Sequence, residues 1–351
     1  MKILSSLEIK AEVSEIQKFI DGKIDQVYQP DNTEVVLTIH KTGVGRHHLR
    51  LVPGVTLYVS KRKRQSPPII INFCRFLRKR IGNAKIRKIV QKDFERIVEF
   101  HFETKEQNFI LICEFFSKGN VILCDENYVI ISALQVQLWK DRKIKAREVY
   151  QYPPSRQIKF DTFEEFLKYM EASDRENIVK KLATLNLGGL YAEEVCARAR
   201  VNKTSVEVDD KTLLRIFNEL NRLLEGEDYK PRLVDHNPVP FAMKSFGIGK
   251  EFETYSEALE EYYSPFIEDL EVLEEKALEG KVDKAKSILD DQLEHLEQVK
   301  KDLVEGRVKG DWIYEHYIEL QEILQLFKEK KYKELEEKGL KIRDGELILE
   351  I

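Results

Sequence analysis

The hydrophobic pattern of the chain changes near residue 152, from short alternating segments to longer helical ones. In the first part, short runs rich in β-branched and aromatic residues are separated by Gly, Asn, Asp and Pro turns, which predicts strands. These runs are 34–40, 47–51, 55–60, 85–90, 96–102, 108–116, 120–125 and 128–133. In the second part, helices are predicted near 162–171, 174–184, 190–200 and 210–224. Strands and helices in separate blocks indicate an α+β fold.

This pattern predicts four parts of the chain. They are a β-rich N-terminal domain (1–152), a helix-hairpin-helix domain (153–230), a connecting segment (231–263) and a helical arm (264–351). Apolar residues of the arm recur three and four apart, with one polar interruption at Gln292. They are first Leu278, Val282, Ala285, Leu289, Leu296, Val299 and Leu303, and then Ile313, Tyr317, Leu320, Leu324 and Phe327. This spacing is typical of a coiled coil or a helical hairpin, and equally of packing within a helical bundle. We expect that the chain is a fragment or stops before a further domain.

Basic residues are concentrated in one stretch. Residues 60–96 hold thirteen Lys or Arg and two acids, a net charge of about +11 in a chain whose overall charge is −4. They are interleaved with core-forming residues, including a helix predicted over 69–81, so they project from an ordered surface. Because such cations gain affinity by releasing counterions from nucleic acid, we predict that they bind phosphates. The predicted phosphate-binding cations are Lys61, Arg62, Lys63, Arg64, Arg75, Arg78, Lys79 and Arg87. The alternative is a solvated surface, since 34% of all residues are charged.

The later part of the chain is acidic instead. Residues 251–305 contain eighteen acids and six bases. An acidic helical stretch repels phosphate, so the arm is better suited to contacts with protein.

The composition argues against membrane, metal and cofactor functions. No apolar run is long enough to cross a bilayer, and no secretion signal is recognisable, so we expect a cytoplasmic protein. The four cysteines show no CxxC spacing, which favours buried free thiols over zinc ligands or disulfides. His47 and His48 are adjacent and would point to opposite faces of a strand. We therefore predict neither a metal site nor a cofactor.

A glycine pair, Gly188 and Gly189, lies between two predicted helices. Glycines at such a junction let the backbone approach a phosphate, and the following helix offers free N–H groups and its positive dipole end. A helix-hairpin-helix unit binds nucleic-acid backbone in this way without reading sequence. The alternative is an ordinary helix-ending glycine.

The stretch from Gly188 to Glu194, GGLYAEE, is similar to the G-N-I-Y-A-x-E stretch of the formamidopyrimidine-DNA glycosylases. Those enzymes also place a β-rich N-terminal domain before such helices, so the resemblance implies a shared scaffold. They attack with the amine of an N-terminal proline, whereas this chain begins Met1-Lys2-Ile3. We therefore expect no glycosylase activity and no catalytic residue.

A closer resemblance is to the NEMF/RqcH family, also called NFACT or fibronectin-binding protein A-like. The stretches that carry it are SSLEI (5–9), FCRFLRKRIGNAKI (73–86), ERIVEF (95–100), FFSKGNVILCDE (115–126), LGGLYAEEVC (187–196) and YSEALEEYY (255–263). The resemblance implies a ribosome-associated quality-control factor. Such a factor binds large ribosomal subunits that hold stalled peptidyl-tRNA, and recruits tRNA for message-independent C-terminal tailing. The ribosome makes the peptide bonds, so the factor itself is no enzyme.

The resemblance also implies a tRNA-binding set. Two acids and one arginine that serve tRNA recruitment in the family align with Glu8, Glu95 and Arg96. Both acids are Glu where many members have Asp, and Glu95 has the alternative of a structural ion pair with Arg96 or Lys92. The expected partners are thus the large ribosomal subunit, its rRNA and tRNA. Two other functions stay open: a lesion-binding glycosylase-like protein without catalysis, and a matrix (fibronectin)-binding adhesin.

Overall fold

The computed structural model of the chain describes residues 1–64, 70–139, 142–154, 160–343 and 346–348, except the side chains of 268–282 and 342–343. These residues fall into two compact units, Met1–Ile267 and Glu268–Ile351. Both strands and helices are present, and most of the strands precede most of the helices, as the sequence predicts. The division into four domains stays a prediction.

One large antiparallel sheet dominates the first unit. In the described residues nine strands are joined in the order β4-β3-β2-β1-β5-β6-β7-β8-β9. They are β1 (Lys23–Tyr28), β2 (Val35–Lys41), β3 (Gly45–Val52), β4 (Thr56–Ser60), β5 (Lys85–Gln91), β6 (Ile97–Glu103), β7 (Asn108–Glu114), β8 (Asn120–Asp125) and β9 (Ile130–Ala133). A small hairpin follows, β10 (Gln137–Leu138) with β11 (Lys143–Ile144).

The sheet is covered on both faces, and β7 shows why its sequence is apolar throughout. Phe109, Leu111 and Cys113 belong to the main core. Ile110 and Ile112, which alternate with them, belong to a second apolar cluster with Tyr150. Since alternate side chains of a strand point to opposite faces, a strand buried on both sides reads as a continuous apolar run.

Helices supply the rest of the first unit. Before the sheet comes α1 (Ser6–Ile16), which a 3₁₀ turn (Gln17–Phe19) extends, and α2 (Asn72–Ile81) is inserted between β4 and β5. After the sheet come α3 (Phe163–Ala172), α4 (Ile178–Leu182), α5 (Gly188–Ala199) and α6 (Asp210–Glu225). Strands β12 (Tyr229–Val234), β13 (Asn237–Phe241) and β14 (Lys250–Glu251) then form a small sheet.

The long helix α7 (Tyr255–Glu315) begins nine residues before residue 264, where the helical arm was predicted to start. Its first turn is capped from a distance, because the Glu15 carboxylate on α1 accepts hydrogen bonds from the backbone N–H groups of Tyr255 and Ser256. Thr254 adds a local cap, because its hydroxyl accepts a hydrogen bond from the Glu257 N–H (3.2 Å), and Thr254 and Glu257 have the T-x-x-E spacing of a capping box. Tyr255, like Tyr263, is buried in the main core.

The second unit contains the remainder of α7, then α8 (Tyr317–Lys328), α9 (Tyr332–Glu337) and a hairpin of β15 (Lys341–Arg343) with β16 (Glu346–Ile348). Gly306 and Gly310, which separate the two apolar series in the sequence, lie inside α7. The described members of the first series are exposed, including Leu289, Leu296 and Leu303. Leu278 and Val282 lie outside the described side chains, and the coiled coil stays a prediction. Within the described part of the chain, no helix has both the length and the apolar composition that a membrane crossing needs.

A buried carboxyl group on α1 makes the stability of the fold sensitive to pH. Burial, and then the neighbouring Glu15, raise the pKa of Glu12 well above its usual 4.5, and one of its oxygens has no hydrogen-bond partner. The folded chain therefore retains a proton that the unfolded chain loses above about pH 4.5. Stability from this group is complete below that pH and declines as the pH rises toward the folded pKa.

We accordingly expect Glu12→Gln, which has the shape of the protonated acid, to raise the free energy of unfolding at pH 7. The gain should vanish near pH 4, where Glu12 is protonated in both states. Urea denaturation of both proteins at the two pH values measures this difference, and an equal gain at both would contradict it.

Candidate nucleic-acid interface

The first predicted site residue, Glu8, lies in the first turn of α1 and is 1% exposed. Its Oε2 accepts a hydrogen bond from the Ser5 backbone N–H (2.7 Å), while the Ser5 hydroxyl accepts one from the Glu8 N–H (3.3 Å). This capping box satisfies two N–H groups at the start of the helix. Glu8 Oε1 lies 2.5 Å from Lys2 Nζ and accepts a 2.8 Å hydrogen bond from the Tyr191 hydroxyl. Both carboxylate oxygens are therefore engaged within the protein.

Glu95 and Arg96 lie at the turn between β5 and β6. The Glu95 N–H donates to the Lys92 carbonyl (2.7 Å), and the two residues between them, Asp93 and Phe94, have φ of 45° and 56°. Two left-handed residues in succession form the tight turn that matches the twist of a hairpin. For a bulky residue such as Phe94 this backbone conformation is unusual.

Gln91 ties this turn to α1. Its side-chain amide donates to the Ser6 carbonyl on α1 (2.8 Å) and to the Glu95 carbonyl (2.9 Å). The structure therefore brings the three predicted tRNA-binding positions into one region, but with different exposure. Glu8 is buried, whereas Glu95 and Arg96 are half-buried.

The Arg96 side chain is half-buried at the turn between β5 and β6. Within the described part of the chain, no hydrogen bond or ion pair holds its guanidinium. Partial burial lowers the pKa of Arg96, and the charge of Glu95 acts in the opposite direction. A phosphate or a base edge would supply the hydrogen-bond acceptors that a guanidinium requires.

The glycine pair lies at the start of α5, after a π-helical turn (Ala183–Leu187) that follows α4. Gly188 has φ of 73°, a conformation that favours glycine, and Asn186 in the preceding turn has φ of 55°. Gly188 and Gly189 are exposed, and a Cβ added to either would have no atom within 4 Å. This open backbone suits the approach of a phosphate. We call Asn186–Gly189 the glycine turn. Tyr191, which follows it on α5, donates the hydrogen bond to Glu8, so the glycine turn is also fixed to α1.

The predicted basic ridge is formed by α2. Its buried side carries Phe73, Cys74, Leu77 and Ile81, whereas Arg75, Arg78 and Lys79 are exposed. Lys63 and Arg78 both lie near the ring of Tyr28 on β1, at 4.1 and 5.7 Å from its centroid. These cation–π contacts join the 61–64 segment to the ridge. We call Lys63, Arg75, Arg78 and Lys79 the basic face.

Four other predicted cations are used differently. Arg64 is 7% exposed and binds Asp31 (2.7 Å) and Glu34 (3.0 Å), so it does not lie on the phosphate surface predicted for it. Arg87 is exposed but lies between the carboxylates of Asp21 and Glu103. Lys61 is paired with Glu257 (2.7 Å), and Arg62 also has a partner within the protein. The surface available to phosphate is therefore smaller than the sequence indicates.

None of the four cysteine thiols is placed to act as a nucleophile or to bind a metal. Cys74, Cys113, Cys124 and Cys196 are all free and buried, as predicted. Burial raises the pKa of the Cys196 thiol to about 11 and that of Cys124 to about 12, so both stay protonated at neutral pH.

Sequence reasoning missed three residues at this interface. Gln91 holds the β5–β6 turn to α1, and Tyr191 holds the glycine turn to α1. No local sequence pattern signals such long-range hydrogen bonds. Phe76 is 49% exposed on α2, among the cations. An aromatic residue between basic ones was visible in the sequence and could have been noted.

Comparison with known proteins identifies the family of this chain. A family described as NFACT N-terminal and middle domains matches residues 5–341. The archaeal Rqc2 homolog aRqcH of Methanocaldococcus jannaschii is 29% identical over 354 residues, which cover 94% of this chain and 52% of that protein. The human ribosome quality control complex subunit NEMF is 24% identical over 351 residues, covering 88% of this chain and 32% of that protein. The chain thus spans about half the length of the archaeal relative.

Among solved structures, the N-terminal part of the fibronectin/fibrinogen-binding protein from Streptococcus suis is similar, with a TM-score of 0.63 at 22% identity. The similarity covers 75% of this chain and 99% of that one. At this identity it shows the shared fold alone. Since the family match extends over nearly the whole sequence, the resemblance found in the motifs is confirmed, and the chain belongs to the NFACT family.

Proposed function

We propose that this chain is the RNA-binding part of a cytoplasmic ribosome quality-control factor. It binds the large ribosomal subunit with stalled peptidyl-tRNA, through rRNA and tRNA, and recruits tRNA for message-independent C-terminal tailing. Family membership supports the role, since relatives are named ribosome quality control complex subunits. The peptide bonds are made by the ribosome, so the chain itself supplies binding and no catalytic residue.

One observation carries the proposal: two RNA-compatible elements are fixed to the first turn of α1. The glycine turn is held through Tyr191 and Glu8, and the β5–β6 turn is held through Gln91 and Ser6. Backbone N–H groups near the glycines suit phosphates, while the Glu95 carboxylate and the Arg96 guanidinium suit ribose or base edges. A rigid spacing between a backbone contact and a base contact would select the shape of a folded RNA.

Recovery of bound RNA tests the proposal. The chain would be isolated from native lysate under mild salt, and the RNA that accompanies it sequenced. Enrichment of large-subunit rRNA together with one or a few tRNAs is the expected result. RNA in proportion to its cellular abundance would contradict the proposal.

Contacts of the acidic arm with protein, which we also propose, would show as proteins that remain bound after ribonuclease treatment.

For the tRNA contact, we expect the double change Glu95→Ala and Arg96→Ala to abolish tRNA association while large-subunit binding persists. Arg96 has no hydrogen bond or ion pair in the described protein, but half-buried Glu95 does have a partner, so the free energy of unfolding should fall by no more than about 1 kcal/mol. Filter binding with purified tRNA and a thermal melt measure the two effects.

The matched control is Arg87→Ala with Glu103→Ala, an exposed pair of the same residue types in the same hairpin. It should retain tRNA binding. If the Glu95 and Arg96 variant unfolds, these residues have a structural role. If both double variants lose tRNA affinity equally, Glu95 and Arg96 have only a general electrostatic role.

A further inference from the structure

The exposed side of α2 carries an aromatic ring among its cations. Phe76 is 49% exposed, and Arg75 and Lys79 beside it are exposed as well. Residues three or four apart share one side of a helix, so Lys79 and Arg80 border the Phe76 ring. The helix sequence NFCRFLRKRI contains no acid. This side of α2 is therefore positively charged and aromatic together.

The ring is not required by the core. The buried side of α2 is already occupied by Phe73, Cys74, Leu77 and Ile81. A single exposed apolar residue is common on protein surfaces, but this one is held on a rigid helix with cations around it. Aromatic rings between cations are how proteins bind single-stranded nucleic acid: the cations hold the backbone and the rings stack on bases.

We propose that Phe76 is a stacking platform for an unpaired RNA base, so that the basic face selects looped or single-stranded RNA over a continuous duplex. The inference rests on the proposed RNA-binding function and adds a ligand class to it. In an A-form duplex the bases are stacked on each other, and their faces are not accessible to a side chain. A base in a loop can leave the stack and lie on the ring while Arg75 and Lys79 bind the flanking phosphates.

The test is Phe76→Leu, which keeps an apolar, helix-forming side chain but removes the flat ring. The probes are a short RNA stem with an unpaired loop and a blunt RNA duplex of the same length. Affinity for the looped RNA should fall about 5- to 150-fold. Affinity for the duplex, and the slope of log affinity against log salt for both probes, should stay unchanged because no cation is lost. Phe76→Trp should restore loop binding, and its added indole emission should be quenched by the looped probe alone.

Other outcomes would overturn the inference. If Phe76→Leu lowers affinity for both probes equally, the ring supports the shape of α2 and does not stack. If loop affinity is unchanged, the exposed ring serves a protein contact. A parent chain that binds neither probe would instead contradict the proposed function itself, so the two failures are distinguishable.

Discussion

Replacing Arg75 and Lys79 by glutamine should lower the affinity for structured RNA about 25- to 60-fold near 0.1 M salt. Both side chains are exposed, and neither is paired with another described residue. Each phosphate contact that is lost should reduce the slope of log affinity against log salt by about 0.7 on a single strand and 0.9 on a duplex. The double change should therefore lower the slope by about 1.4 to 1.8. Titrations over a range of salt concentrations measure both quantities.

Two comparisons make this result specific. Arg87→Gln removes a cation from the same basic stretch, but one that Asp21 and Glu103 already neutralise, so affinity and slope should barely change. Arg78 is less suitable for the test, because its Nε also donates to the Val27 carbonyl (2.7 Å) and its loss would disturb the fold. An unchanged slope in the Arg75 and Lys79 variant would show that α2 is only a solvated surface.

Much of the architecture follows from local patterns. The strands from β2 to β9 and the helices from α3 to α6 lie where alternation, turn residues and helical periodicity predict them. Strand β1 was missed because its sequence, KIDQVY, has two buried residues, Ile24 and Val27, among polar ones. The start of α7 was missed although a local signal was visible, because Thr254 and Glu257 have the spacing of a capping box and the Thr254 hydroxyl accepts from the Glu257 N–H.

The net charge of residues 60–96 could be read from the sequence, but which of its cations lie free on the surface could not. Thirteen cations in one stretch correctly indicated a basic region, and α2 presents several of them. The sequence could not show that Arg64 is buried against Asp31 and Glu34, or that Arg87 is neutralised by Asp21 and Glu103. These acids lie 16 to 66 positions away in the chain, so only the sheet brings them together.

Glu8 is likewise buried against a partner that is distant in the chain. We expect Glu8→Ala to lower the free energy of unfolding by about 3–5 kcal/mol. The change removes the capping box and leaves the ammonium of Lys2, whose side chain is 12% exposed, without its carboxylate. It also leaves the Tyr191 hydroxyl without its acceptor; burial and the Glu8 charge raise the pKa of Tyr191, so that hydroxyl stays protonated. Denaturant unfolding measures the loss. A residue that served only as a tRNA contact would show no such cost.

Loss of tRNA binding in Glu8→Ala would therefore not by itself make Glu8 a tRNA contact, and two further variants separate the roles. Glu8→Gln keeps one acceptor oxygen for the Ser5 N–H, and its amide NH2 can donate to the Tyr191 hydroxyl oxygen, so it should be more stable than Glu8→Ala. Tyr191→Phe should cost about 1.5–3 kcal/mol alone but much less when combined with Glu8→Ala, because the bond is already absent. If tRNA binding follows stability across all three variants, Glu8 positions the glycine turn and the β5–β6 turn. If Glu8→Gln is stable but does not bind tRNA, the carboxylate charge itself contacts the RNA.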